Sequence, residues 1–521
     1  MQRTRDLTAP TVLDKVLRAV CVAVLIGAYE LAAPVWALAA PPPGYNTQFD
    51  IWPYAASKAT CRPGDRVETG LQGEVPTEDR VSKRSALGYN CNIDLIGKYQ
   101  GNGAGITSTS YKNCIYVGST WPYTTGVQVI DASDPAHPVQ TDLLTEPAMV
   151  GGTWESLKAH EGRGLLVGTG VPLLFGGGYI SIYDISQDCR HPRLLNLGAG
   201  SLPGVRIPMI THEGNFSPDG NTYWAGGMLW NSAIDISDPT APHAVWSAPV
   251  GWLSHGMGFT PDGRTMFMSQ FSGVTVLDVS AVQDRVAPDF TMHQLLPQYG
   301  HKGWVDGQES QHSVYVTYAG VPHIFNIDEL GSGGVKLFDT SDPTDIKLRN
   351  IIKLEINLEE HQDRWTSSAG FNGVFAYDSH YCAVDRQDDP QALACGWVQS
   401  GIRVFDVRDP ENIREIAYFN PPAQSDKRYE DLPNSVHVFN LSVLATPPLT
   451  GIFGVGRAAL DGKINLNDIV LGNRPDWGQP ADFSADWCMS PPEFRGNMLY
   501  VTCSDNGFMT LKLDPAVYPP R

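Results

Sequence analysis

The chain repeats one alternation of apolar and polar positions. Each copy is a short strand of inward apolar residues, opened by a glycine or small residue and closed by an aspartate, often followed by Ser-Asp-Pro. It runs Gly126-Val-Gln-Val-Ile-Asp131, then Tyr179-Ile-Ser-Ile-Tyr-Asp184, then Ser232-Ala-Ile-Asp235. It returns as Gly273-Val-Thr-Val-Leu-Asp278, Gly334-Val-Lys-Leu-Phe-Asp339 and Gly401-Ile-Arg-Val-Phe-Asp406. A degenerate copy, Gly507-Phe-Met-Thr-Leu-Lys512, keeps the strand and carries Lys in the aspartate place. Tight-turn signals stand ahead of the strand, as in Ser217-Pro218-Asp219-Gly220 and Thr260-Pro261-Asp262-Gly263, so each unit holds several short strands. Successive closing aspartates lie 43 to 67 residues apart, the period of a propeller blade.

Six good copies and the degenerate one predict an all-β fold, a seven-bladed β-propeller over residues 93–514. A strand near Ile93 to Tyr99 is expected to complete the last blade and close the ring, which removes exposed sheet edges. Residues 41–92 read as an N-terminal extension packing on the ring, and 515–521 as a C-terminal tail. Residues of about 420–483 read as one long insertion; the alternative is an eighth, divergent blade. Insertions in such proteins gather on one face, often the binding face.

These strand-plus-Asp-Ser-Asp-Pro units resemble the LVIVD repeat family of β-propellers, over roughly residues 93–514. The resemblance implies the fold and a secreted or surface location; it implies no catalytic residue.

The first 40 residues read as a signal peptide. Arg3, Arg5, Lys15 and Arg18 precede an apolar run from Ala19 to Tyr29, and Ala37-Leu38-Ala39 offers a cleavage site. Glu30 ends a run too short to span a bilayer comfortably, so no membrane span is expected after cleavage. Beyond Cys21, eight cysteines remain and no CxxC occurs, which points to disulfides in an oxidising compartment, secreted or periplasmic. Proximity along the chain pairs Cys61 with Cys91, Cys382 with Cys395 and Cys488 with Cys503. The net charge of −19 argues against nucleic acid as a partner, leaving a small molecule or an extracellular partner.

Counting back from the aspartates, histidines recur near the first strand of several units. His160, His212 and His255 lie 24, 23 and 23 residues before Asp184, Asp235 and Asp278, and His380 lies 26 before Asp406. His301 fits the fifth unit with a longer gap. The innermost strands of a propeller line its channel, so equivalent residues face one axis. Imidazoles converging there suit a transition metal such as iron, copper or zinc, with Glu161 and Glu213 orienting ring N–H groups. The bland alternative is a histidine kept by descent that hydrogen-bonds a neighbouring blade. His312, His323, His361 and His437 fall out of register and read as loop residues, with His437 a candidate cover for the channel mouth. The aspartate column reads as capped turns; calcium would need more oxygens converging from one loop.

No GxSxG, HExxH, P-loop or dinucleotide fingerprint occurs. Three functions follow: a propeller binding a small ligand or partner at a His-lined channel mouth, a secreted metal-dependent oxidoreductase or hydrolase using those histidines, or a surface adhesion or assembly module.

Overall fold

The computed structural model describes residues 46–47 and 51–519, except 120–124, 151, 171–178, 197–210, 228–229, 251–253, 271–272, 287–294, 308, 331–332, 369–374, 428–430 and 438–482. The signal-peptide reading, and residues 428–430 and 438–482 of the insertion, fall outside the described residues.

The described residues form seven sheets, each with four antiparallel strands, two of them widened by a strand from the N-terminal extension, one of which (Asn46–Thr47) pairs parallel: a seven-bladed β-propeller. Blade 1 runs Ser108–Tyr111, Cys114–Val117, Val127–Asp131 and Val139–Leu144. In blade 2 the strands are Lys158–His160, Leu165–Gly170, Tyr179–Asp184 and Arg193–Leu194; in blade 3, Glu213–Phe216, Thr222–Gly227, Trp230–Asp235 and His243–Ala248. Blade 4 consists of Met257–Phe259, Thr265–Gln270, Gly273–Asp278 and Gln298–Gly303, and blade 5 of Glu309–Tyr318, Val321–Leu330, Val335–Asp339 and Lys347–Ile352. Blade 6 has Cys382–Val384, Ala392–Gly396, Ile402–Asp406 and Arg414–Asn420. Blade 7 takes Glu493–Arg495, Met498–Cys503 and Gly507–Leu513 from the C-terminal side, and Ile93–Tyr99 supplies its outer strand by pairing antiparallel with Gly507–Leu513. The expected closure of the ring by an N-terminal strand is therefore present.

The repeat strand is the third of each blade. Its alternate residues are buried between neighbouring sheets: Val127, Val129, Ile180, Ile182, Val274, Val276, Val335, Leu337, Ile402 and Val404 are all essentially inaccessible. The aspartate that ends it caps the next turn. In Asp131, Asp184, Asp235, Asp278 and Asp339 one carboxylate oxygen accepts both the backbone N–H and the hydroxyl of the serine two residues on, at 2.5–2.9 Å. The column thus serves turns, which the sequence favoured over calcium. Asp339→Ala is expected to cost about 1 kcal/mol, the worth of such a cap, with no response of the midpoint to calcium; urea denaturation with and without CaCl2 checks both.

The chain direction fixes two faces. Every first strand starts at what we call the upper face and ends in a hairpin at the lower face. The Asp-Ser-Asp-Pro turns are lower-face loops, whereas the segments between blades lie on the upper face. The connections leading into blades 3, 6 and 7 start and end on the upper side, whereas the long connection within blade 4, between Asp278 and Gln298, starts and ends on the lower side.

Four disulfides staple the fold: Cys61–Cys91, Cys114–Cys189, Cys382–Cys395 and Cys488–Cys503. Three are the pairs expected from proximity. The fourth joins blades 1 and 2 across 75 residues, a separation too long for proximity along the chain to find. Four such bonds suit an oxidising, exported environment, and among the described residues no helix is long and apolar enough to cross a membrane. Residues 51–92 lie against the ring: Tyr89–Cys91 adds a strand to blade 6, and the buried Arg403 of that blade pairs with Glu415 at 3.0 Å and with Glu68 of the extension.

Candidate functional site on the propeller axis

The first strands of successive blades approach one another around the ring, so they line its centre. Their upper ends carry the chemistry. His212 and His255 stand just above blades 3 and 4, their ring centroids 4.3 Å apart. His380 stands just above blade 6. Glu155, above blade 2, and Glu329, near the upper end of blade 5's second strand, complete the group. One donor atom from each of Glu155, His212, His255 and Glu329 lies within 4.8 Å of every other. Glu155, His255 and His380 are almost wholly inaccessible, and Glu329 is 5% exposed.

The separations are those of ligands sharing one centre. His212 Nε2 lies 3.6 Å from Glu155 Oε1, and His380 Nε2 lies 3.4 Å from the same oxygen. His380 Nε2 is 3.3 Å from Glu329 Oε1, and His255 Nε2 is 2.9 Å from Glu329 Oε2. Donors about 2.1 Å from a tetrahedral ion stand about 3.4 Å apart. Glu155 Oε1 and the Nε2 atoms of His212, His255 and His380 are buried and make no hydrogen bond: they approach one another closely without the alignment a hydrogen bond requires.

The opposite atoms of the same side chains are held. His380 Nδ1–H donates to the Met489 carbonyl at 2.9 Å, which leaves Nε2 as its free donor atom. His255 Nδ1 faces Glu213 Oε2 at 3.2 Å, and the other oxygen of Glu213 receives His312 Nδ1 at 2.9 Å. Glu213 therefore has both oxygens engaged and orients two imidazoles, as metal-binding histidines require. Glu155 Oε2 accepts from Gln311 Nε2 at 2.9 Å and from the Tyr381 hydroxyl at 3.0 Å, so only Oε1 is left to ligate. One-oxygen carboxylates with imidazoles match a transition metal; calcium takes six to eight oxygens.

The electrostatics follow from crowding charge in a buried place. Burial alone would lower the His380 pKa, but the carboxylates of Glu155 and Glu329 outweigh it and raise it to about 9. The same balance holds His255 well above the ordinary range. Burial pushes Glu213 and Glu329 up, yet the facing histidines pull both down to about 2. Glu309, at the upper end of the first strand of blade 5, has burial and the Glu329 charge against it and is raised to about 7.

Of the five histidines singled out in sequence, the structure brings three together. His160 ends its strand at the lower face, where Nδ1 accepts from Arg163 N and Nε2 lies 3.1 Å from the Pro218 carbonyl. His301 is in the outer strand of blade 4, paired with Thr275, not in the first strand of blade 5. Glu161 is exposed in the lower-face turn after His160, whereas Glu213 sits in the cluster. Glu155, Glu329, Glu309, Gln311 and Tyr381 carry no signal in the repeat reading. His312, set aside there as a loop residue, is in the first strand of blade 5 and faces Glu213. His323 lies in the second strand of blade 5, Nδ1 2.9 Å from the Val321 carbonyl. His437 is buried on Trp487 and pairs with Asp505 at 2.8 Å.

Fold and site together define a seven-bladed propeller with a buried His/Glu cluster on its axis, of the composition and spacing that hold a metal ion. No protein-family model matches the chain, and no curated protein does. Among solved structures it is similar to a functionally unknown protein from Desulfotomaculum acetoxidans (11% identity, TM-score 0.42, covering 60% of this chain and 84% of that one). It is also similar to a putative 6-phosphogluconolactonase from Bacteroides uniformis (15%, 0.40, 60% and 83%) and to hydrazine synthase of Kuenenia stuttgartiensis (12%, 0.38, 60% and 77%). Likenesses of this size transfer no activity.

Proposed function

We propose that this chain is an exported metalloprotein of the LVIVD-propeller type. Its axial cluster holds one divalent transition metal (iron, copper or zinc) through Glu155, His212, His255, Glu329 and His380. The reading rests on one observation: four buried donor atoms, on the segments leading into blades 2, 3, 4 and 6, converge on one another without aligned hydrogen bonds. A metal would engage all of them at once. The ion would supply Lewis-acid or redox chemistry to a small molecule arriving from the upper face. The Lys158 ammonium lies 4.5 Å from the ring centre of Tyr381, whose hydroxyl donates to Glu155. A metal-free polar binding site is the competing account.

Elemental analysis decides between them. Protein purified from an exporting host is expected to carry about one equivalent of metal, removable by chelation and restored by one equivalent. A chain without metal that also fails to take up iron, copper or zinc would leave only the binding-site account.

Gly256 gives a second check. A Cβ at this position would stand 1.9 Å from Glu213 Oε2 and 2.5 Å from the Gln311 carbonyl, so Gly256→Ala must displace the carboxylate that holds His255 and His312. It is expected to weaken metal affinity 10- to 100-fold, the usual effect of disturbing such a partner, as competition with a chromophoric chelator will read.

A further inference from the structure

Trp154 stands beside the cluster with features its packing does not explain. Its backbone is left-handed, with φ of +45°, a conformation rare and costly for a bulky aromatic residue. The turn is enforced by its neighbours: Trp154 N–H donates to the Ser119 carbonyl at 3.2 Å, and Thr153 and Glu155 on either side are wholly buried. The outcome is an indole against His212, ring centroids 5.2 Å apart and tilted by 52°. The indole Nε1–H is buried and has no acceptor. Native structures rarely leave such a donor unmet, and each case calls for a reason. Trp154 precedes the first strand of blade 2, so it lies on the upper side of the ring. His212 is the most exposed histidine of the cluster, its side chain 16% accessible against 3% for His255 and none for His380. Among the described residues, the most accessible of these three histidines is therefore the one against which Trp154 stands.

We propose that the Trp154 indole N–H is a recognition group for a carboxylate ligand of the axial metal, and so that the substrate or co-ligand class is a small carboxylic acid. This rests on the metal reading above. One carboxylate oxygen would bind the ion held by Glu155, His212, His255, Glu329 and His380, and the other would accept from Nε1. A carboxylate is the smallest common ligand that offers both oxygens in one plane, and an indole N–H donates without accepting, so it selects an acceptor at that place. No bond of the ligand is made or broken by this contact. Trp154 is a positioning and specificity residue.

The test uses the full-length mature protein loaded with cobalt(II), whose visible spectrum reports changes in coordination, titrated with acetate. Metal content is measured on the same samples. Acetate is expected to perturb the spectrum saturably, and Trp154→Phe to weaken its affinity about tenfold, the value of one well-placed hydrogen bond, with cobalt content unchanged. Site-specific replacement of Trp154 by benzothienylalanine, which exchanges only the N–H for sulfur, is expected to do the same and guards against misfolding of the Phe variant. Equal acetate affinity in the unmodified and benzothienyl proteins at full metal loading overturns the proposal and leaves the metal site standing. Absence of any acetate effect on the loaded protein overturns it likewise. Failure to load cobalt removes both.

Discussion

His255→Ala is expected to abolish metal-dependent stabilisation. His255 sits at the centre of the cluster, with Nε2 2.9 Å from Glu329 and Nδ1 3.2 Å from Glu213. Its loss removes a ligand and leaves Glu213, Glu155 and Glu329 facing a void. For the unmutated protein, metal at a thousand times its dissociation constant raises the unfolding free energy by about 4 kcal/mol, because the folded chain alone holds the assembled site. In the variant that increment should fall to nearly zero. His160→Ala and His301→Ala, on the lower face and in an outer strand, should keep it whole. Urea midpoints in EDTA and in excess zinc provide the comparison. An equal zinc shift in His255→Ala and in the unmutated protein would sink the assignment, whereas a lost shift with an intact ring, followed by near-ultraviolet circular dichroism, supports it.

The legible part of this protein is the part set by periodicity. The third strand of every blade is an uninterrupted alternation with an aspartate stop, so blade number and ring closure could be counted directly. The site was half legible, and the shortfall has one cause. The histidines were placed by counting from the aspartate, which assumes hairpins of equal length. Pairing gives the true register: Asp184, Asp235, Asp278 and Asp406 face Leu165, Thr222, Thr265 and Ala392. Counting back ten residues from Thr222 and Thr265 gives His212 and His255. The longer hairpin of blade 6 makes it twelve from Ala392, giving His380. Ten from Leu165 gives Glu155, not His160. The extra length of blade 2 lies between its second and third strands: Asp184 comes nineteen residues after Leu165, against thirteen from Thr222 to Asp235, so the count from Asp184 stops short at His160, at the lower end of its strand. A carboxylate therefore occupies the place where a histidine was sought. Blade 5 escaped for a different reason. Its first two strands reach ten residues each around the tight turn at Ala319 and Gly320. That extension brings Glu309, Gln311, His312 and Glu329 to the axis at positions no repeat predicts.

The second large effect is a pH dependence that metal reverses. In the metal-free protein His380 is raised from its ordinary 6.5 to about 9: burial opposes its charge, and Glu155 and Glu329 more than compensate. A base raised on folding adds stability that is complete below pH 6.5 and disappears as pH climbs through 9. That shift corresponds to about 3 kcal/mol, with His255 acting in the same direction. Glu309, an acid raised from 4.5 to about 7, contributes stability that is complete below pH 4.5 and is lost as pH rises from there through 7. On the acid side Glu213 and Glu329, held near 2 by their histidines although burial resists it, contribute above pH 4.5 and cease to as pH falls towards 2. For these groups the metal-free chain should therefore be most stable near pH 4.5, decline from there as the Glu309 contribution goes, and lose several kcal/mol by pH 9. A bound ion needs the imidazoles neutral, so its affinity grows over the very range in which the metal-free cluster weakens. The gap between the midpoints in EDTA and in zinc should widen steadily from pH 6 to pH 8.5. Groups outside the cluster that also titrate, such as Asp486, raised to about 7 by burial and by Asp505, move both curves together and cancel in that gap. Parallel curves across this range would mean that the axial histidines neither pair with the carboxylates when metal is absent nor ligate it when it is present.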